Sequence, residues 1–398
     1  MFKVKCPHCY ATIDRRELWF VCAGHPEAGY EKCEKRFNAR RQNQTGYRVE
    51  MYPAFGPARP LWRSPGRWWR SPRTARCPAC NGQTGQHLCP KCNTPLPPGF
   101  GRGRSPLIAI VGARSTGKTV YLTVLTHRLR TALNARFQAD VLPFGDDVVD
   151  WLNTNQRLLF EEGDLPEFTQ QPDGRSEPLI FVWRRRRGRL RRRIRNDVLS
   201  LLDTPGESLS TRTRADELQY LGNVDAVIVL LDPLSLSGLR QKIKLDAGTP
   251  IAEENALQVL SQVTGALRRR EGIPEDKPID KPIAVAFAKV DLLRDHLGED
   301  HPIFRSEIED PWYDETAGDA VHKSMRELLL GWEASGIDIH LSTNYATHRY
   351  FALSSLGRQP NYAANKISGE GVSPQRVTDP LEWLLHHYRV IPGRRRRG

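Results

Sequence analysis

The sequence predicts an α/β protein: a three-layer arrangement of helices around a mostly parallel sheet with a β-hairpin edge, preceded by small cysteine-rich modules. Three observations predict it. All eight cysteines lie before residue 93, and six of them form C-x2-C pairs. A short apolar run, Leu107 to Val111, feeds a glycine-bearing loop and then a stretch whose apolar residues recur near the helical period. Further apolar, strand-length runs follow at intervals long enough for the crossover helices that parallel strands require.

The cysteine pairs are Cys6 with Cys9, Cys77 with Cys80, and Cys89 with Cys92. Two thiolates separated by two residues grip one side of a tetrahedral zinc while turn amides donate to the sulfurs, and two such knuckles complete the coordination. By proximity, Cys77, Cys80, Cys89 and Cys92 form one zinc ribbon over residues 77–95. Cys6, Cys9, Cys22 and Cys33 form a second zinc site within a module at 1–50, with His25 as the alternative to Cys33. Filled tetrahedral sites leave no open position for substrate, so the two zinc ions are structural. No pair begins a helix after a strand, which argues against a thioredoxin-like redox role.

Residues 51–76 hold five prolines and three tryptophans and read as a linker. Trp62, Trp68 and Trp69 interleave with Arg63, Arg67, Arg70 and Arg73, a pattern that suits stacking on unpaired bases, an anionic membrane surface, or packing against the zinc modules. A second Pro/Gly break at 94–106 opens the domain assigned to residues 105–392.

That domain starts with the strand Leu107 to Val111 and Gly112-Ala113-Arg114-Ser115-Thr116-Gly117-Lys118-Thr119. This is G-x4-G-K-T between a strand and a helix, where Gly112, Ser115, Thr116 and Gly117 shape a backbone that turns its amides toward phosphate oxygens. Lys118 is expected at the β- and γ-phosphates, and Thr119 on magnesium. Val120, Val124, Leu125, Leu129 and Leu133 mark the buried stripe of the helix. Leu179 to Trp183 and Asp197 to Leu202 make a hairpin whose tip, RRRRGRLRRRIR, carries nine arginines between 184 and 195. The second strand ends in Asp203-Thr204-Pro205-Gly206-Glu207, which places an acid for magnesium at a strand tip and a side-chain-free amide at Gly206. Val224 to Leu231 and Ile283 to Ala288 are further strands; the latter runs into Lys289-Val290-Asp291, and Tyr350 to Leu353 runs into Ser354-Ser355. Asp379-Pro380-Leu381-Glu382 starts the last helix, and residues 393–398 form a basic tail.

These motifs, in this order, resemble the TRAFAC-class, Ras-like P-loop GTPases, whose signatures are G-x4-G-K-[ST], D-x2-G, [NT]-K-x-D and S-A-[KL]. The resemblance implies a P-loop NTPase fold, a GTP/GDP site and Mg2+ held by Thr119 and Asp203. It implies that Asp291 accepts from guanine N1 and N2, that Lys289 covers the base, and that Ser354 and Ser355 reach O6. Lys118, Thr204 and Glu207 would serve hydrolysis, with Gly206 at the γ-phosphate. Ala288 departs from the usual Asn or Thr, and Glu207 stands where a water-positioning Gln is common, so weak guanine affinity and slow hydrolysis are expected. The switch threonine is Thr154 or Thr169. Together with the cysteine knuckles, the motifs resemble the bacterial double-GTPase proteins of conflict or defence systems, which implies a second GTPase chain as partner, alongside an effector or GTPase activator.

The formal charge is +13, of which residues 1–105 supply 19 Lys/Arg against 6 Asp/Glu. The arginines between 184 and 195 exceed what edge protection needs, so RNA, acidic lipid or an acidic protein is an expected partner there. No apolar run reaches the roughly 18 residues of a membrane span, and the amino terminus lacks a secretory core, which predicts a cytoplasmic protein. Two alternative functions remain open from the sequence: a nucleic-acid- or ribosome-binding zinc protein with a vestigial nucleotide fold, and a P-loop ATPase.

Overall fold

The computed structural model describes residues 3–46, 48–57, 72–166, 177–187, 193–203, 221–243, 245, 249–252, 254–305 and 310–394. Trp62, Trp68, Trp69, Thr169, Thr204, Gly206, Glu207 and the centre of the arginine-rich tip lie outside them. The chain divides into two compact units, Met1–Ser105 with Ile180–Ser200, and Pro106–Leu179 with Leu201–Gly398.

The first unit is built from two- and three-residue strands. Lys3–Lys5 pairs antiparallel with Thr12–Asp14, Ala75–Arg76 with Gln83–Thr84, and Arg36–Phe37 with Glu50–Met51. Trp19–Val21 lies between Ala54–Phe55 and His87–Leu88. Ala54–Phe55 belongs to the segment read as linker, yet its Phe55 stacks on Phe20 at 5.9 Å and so is part of this small core. So little apolar area is buried here that cross-links must supply what hydrophobic burial cannot.

In the second unit β1 (Leu107–Gly112) is buried along its whole length and leads into α1 (Lys118–Arg130). Along the chain follow β2 (Ala139–Pro143), α2 (Asp146–Arg157), β3 (Leu179–Arg187) and β4 (Arg193–Asp203), whose residues between Ile180 and Ser200 group with the first unit, and then β5 (Ala226–Leu231) and α3 (Ala256–Glu271) of the second. The chain closes with β6 (Ile283–Phe287), α4 (Glu315–Gly331), α5 (Ser335–Asn344), β7 (His348–Ala352) and α6 (Asp379–His387). The seven strands form one sheet in the order β2-β3-β4-β1-β5-β6-β7. Strands β1, β5, β6 and β7 pair in parallel. Every residue of β1, β5 and β6 is buried, as continuous apolar runs covered on both faces demand.

The mostly parallel sheet is as predicted, with one addition. Neighbours β3 and β4 are joined by five residues, too few for a parallel crossover, so they form the expected hairpin. The hairpin is not the edge, because β2 lies outside it. That strand alternates buried Ala139 and Val141 with exposed Asp140 and Leu142, a period-2 signal only five residues long.

Among the described residues no helix is long and apolar enough to cross a membrane. Helix α6 is tied down through a buried ion pair: Arg136 Nη1 lies 2.9 Å from both Glu382 carboxylate oxygens, and its other nitrogens donate to the Asp310 and Trp312 carbonyls.

Candidate nucleotide site and zinc centres

Each C-x2-C pair folds into the same turn. The first cysteine donates its amide to the carbonyl five residues on and accepts from the amide four residues on: Cys6 with Ala11 and Tyr10, Cys77 with Gly82 and Asn81, Cys89 with Thr94 and Asn93. The residue four on, Tyr10, Asn81 or Asn93, takes a left-handed φ of 58°, 53° or 57°. The knuckles are therefore local structures, set by the sequence around each pair.

Their partners are not local. Cys6 and Cys9 meet Cys89 and Cys92, while Cys22 and Cys33 meet Cys77 and Cys80; within each group all sulfurs lie within 4.8 Å of one another. This corrects the grouping by proximity, in which Cys77 to Cys92 made one ribbon and Cys6 to Cys33 the other. One site is nested inside the other. The arms of the Cys77–Cys80 hairpin, Ala75–Arg76 and Gln83–Thr84, pair with each other, whereas His87–Leu88, which leads into Cys89, pairs with Trp19–Val21, so the two knuckles are held by different strands. His25 is not a ligand; its carbonyl lies where a side chain at Gly82 would stand, which leaves Cys33 in the fourth position.

Zinc fits both sets. A tetrahedron with Zn–S bonds of about 2.3 Å has sulfur–sulfur edges of about 3.8 Å. The separations are 3.9 Å for Cys6–Cys92, 3.7 Å for Cys9–Cys89, 3.4 Å for Cys22–Cys80 and 3.9 Å for Cys33–Cys77. These are far too long for disulfides. Backbone amides of Gly24 and Lys91 donate to Cys22 and Cys89 sulfurs, the interaction that a charged thiolate rewards.

In the second unit, the phosphate loop is held by its own small residues. Thr116 Oγ1 donates to the Ala113 carbonyl at 2.8 Å, Ser115 sits at φ 66° and Gly117 caps α1 at φ 82°. A Cβ on Gly112 would approach Thr116 Oγ1 to 2.8 Å and the Leu230 carbonyl to 3.1 Å, so the first glycine is sterically required. The N-cap of α1 is Gly117, which has no side chain to cap the helix, an arrangement that suits anionic oxygens at a helix start. Lys118 Nζ lies 2.8 Å from Asp203 Oδ1, so the lysine expected at the phosphates and the acid at the tip of β4 converge on one point, with Thr119 the next residue in the first turn of α1.

Two of the residues expected at the base, Asp291 and Ser354, also converge. Asp291 Oδ1 accepts from Ser354 Oγ at 2.6 Å, and Ser354 Oγ in turn accepts from the Gly357 amide at 2.8 Å. Burial pushes the Asp291 carboxyl above its ordinary range, against the opposing hydrogen bond from Ser354. Ser354 also exchanges backbone bonds with Gln375, whose amide side chain bonds the Phe304 carbonyl, so the loop that presents it is braced. Ser354 spends its hydroxyl on Asp291, and Ser355 is the next residue on the same turn.

Lys289 links the two halves. Its ammonium donates to the Ser115 carbonyl at 2.8 Å, Asp232 Oδ2 at 2.7 Å and the Pro250 carbonyl at 3.3 Å. Asp232 is absent from the residues that the motifs single out. The signal was an acid directly after the buried strand Ala226–Leu231, the position that Asp203 occupies after β4. Tyr362 was also missed: burial, with the Asp291 and Asp232 charges acting next, pushes its phenol up to about 12.

No family model matches the chain. It is 28% identical over 423 residues to the putative ESX-1 scaffolding and assembly protein SaeC of Mycolicibacterium smegmatis, covering 97% of this chain and all of that protein. The structural neighbours are GTPase-like domains. The Saccharomyces cerevisiae Ski7 GTPase-like domain bound to GDP and inorganic phosphate superposes with a TM-score of 0.32 at 13% identity, over 72% of this chain and 50% of that one. The bacterial dynamin GTPase LeoA does so with a TM-score of 0.30 at 12% identity, over 71% and 36%. The chain thus spans half or less of these solved chains.

Proposed function

We propose that the second unit binds guanine nucleotide with magnesium and hydrolyses GTP slowly, as a switch. The observation that carries this reading is the double convergence: Lys118 with Asp203 on the phosphate side, Asp291 with Ser354 on the base side, and Lys289, two residues before Asp291, whose ammonium reaches the Ser115 carbonyl of the phosphate loop. In this reading Lys118 and the amides of Gly112 to Thr119 hold the triphosphate, and Asp291 selects guanine by accepting from the ring N1–H and the exocyclic 2-amino group, a pair that adenine does not offer. Magnesium held by Thr119 and Asp203 would neutralise the charge that develops between the β- and γ-phosphates. Thr204, Gly206 and Glu207 belong to the attack step through their sequence positions after Asp203.

The relative matched along its full length is named for scaffolding and assembly, which favours a switch that times assembly of a larger machine, acting on an effector protein, over a role in defence. Binding of GTP, ATP and xanthosine triphosphate is the direct test. GTP is expected to bind best in the wild type, Lys118→Ala to weaken it at least about a hundredfold, and Asp291→Asn to shift preference toward the xanthine base. A Lys118→Ala protein that binds GTP as tightly as wild type sinks the assignment.

An anionic partner is a second reading, favoured by charge. The first unit gathers 28 Lys/Arg against 7 Asp/Glu, because Ile180–Ser200 belongs to it, and the second holds 31 against 39. Steeply salt-dependent RNA or acidic-vesicle binding by the full chain would support a site at Arg184 to Arg195, and binding indifferent to salt would remove it.

A further inference from the structure

We propose that Asp232 is a positioning residue of the nucleotide site: its buried carboxylate holds the Lys289 ammonium on the Ser115 carbonyl and so locks the base-reading turn to the phosphate loop. The proposal rests on the reading of this site as a nucleotide site and deepens it. Asp232 has no solvent-exposed side-chain surface, and its two oxygens are assigned to different tasks. Oδ1 accepts from the Leu234 amide at 2.9 Å, capping the short helix Pro233–Ser235, and Oδ2 accepts from Lys289 at 2.7 Å. Ser235 Oγ donates to the Asp232 carbonyl at 2.7 Å, so the residue is fixed from both ends.

The ammonium of Lys289 has three donors and three acceptors, Asp232, Ser115 and Pro250, so it has no rotation that keeps the same bonds. Only one acceptor is charged. Without it the ammonium holds two neutral carbonyls in a site where its side chain is 15% exposed, and water competes for the third position. The side chain of Ala288 is a methyl group and supplies no tie between these loops, and its backbone amide is spent on the Leu231 carbonyl. Lys289 itself sits at a left-handed φ of 54°, two residues before Asp291, so a shift of its ammonium is transmitted to the acid that reads the base.

An ion pair that merely holds the fold together would, when broken, weaken every ligand alike. A positioning pair weakens the base-bearing ligand selectively. The test compares GTP with inorganic tripolyphosphate, which engages the phosphate loop alone, on wild type and Asp232→Asn. Asparagine keeps the oxygen that caps Leu234 and removes the charge. GTP affinity is expected to fall about tenfold or more, while tripolyphosphate affinity stays within about twofold. Should Asp232→Asn fail to fold, Lys289→Met/Asp232→Asn removes both charges and leaves no buried ion unpaired; it is expected to fold better than Lys289→Met alone and to show the same selective loss of GTP. An equal loss on both ligands, or no loss on either, overturns the proposal. A wild-type protein that binds tripolyphosphate but no nucleotide better than tripolyphosphate instead overturns the underlying reading of the site.

Discussion

The nested zinc sites make crossed quantitative expectations. Replacing Cys77, Cys80, Cys89 and Cys92 with Ser removes half the ligands of both sites and is expected to leave close to no zinc per chain. Replacing Cys6, Cys9, Cys89 and Cys92 empties one site and leaves the other whole, so one ion is expected. Grouping by sequence proximity reverses the two outcomes. The entropy that favours proximity is small: closing the 80-residue separation of Cys9 and Cys89, instead of the 9-residue separation of Cys80 and Cys89, costs about 2 kcal/mol more by the logarithmic loop law. A structural zinc centre contributes on the order of 10–16 kcal/mol, so strand pairing can direct a knuckle to a distant partner at little relative cost. Zinc per chain, measured by elemental analysis of protein purified by gel filtration, decides the matter. One retained ion in the Cys77/Cys80/Cys89/Cys92 variant would refute the nested pairing and the loop argument with it.

Two further predictions concern the second unit. Glu382→Ala strands the Arg136 guanidinium beside the Asp310 and Trp312 carbonyls and should cost about 3–5 kcal/mol in urea unfolding; a loss below about 1 kcal/mol would show that the pair is not a buried anchor. His322 stacks on Tyr350, accepts its amide at 3.1 Å, and is pulled down to about 4, first by burial and then by His348, Arg349 and Arg326 against Asp338. Because the folded pKa is depressed, its contribution is present above the ordinary histidine range and is lost as pH falls from about 6.5 toward 4, by about 1–2 kcal/mol once partial exposure is allowed for. The melting temperature should therefore drop between pH 7 and 5, and less steeply in His322→Asn; identical pH profiles would count against this assignment.

The readings that needed only a few adjacent residues were legible. Gly112 to Thr119 announced a phosphate loop, because its left-handed turns and close approaches are possible only with small residues at those places. The strands around it were visible as unbroken apolar runs. Strand β2 was not, since two buried residues in five give too short an alternation to stand out from a helix-rich surrounding. Asp232 showed only as an acid after a buried strand, and Gln375 not at all, because each matters through a residue far along the chain, Lys289 for one and Ser354 for the other.

By itself the sequence determined the local chemistry: three identical cysteine turns, a loop shaped for phosphate, and acids at the tips of strands β4 and β6. Only the tertiary structure decided which turns share a metal set, that the arginine-bearing hairpin groups with the cysteine-rich residues, and that the Lys289 ammonium bridges the Ser115 carbonyl and Asp232. The reason is physical. A turn is specified by the dihedral preferences of the few residues in it, whereas a contact across many residues costs only a logarithm of their separation, so its partner is chosen by how the strands pack and not by nearness along the chain.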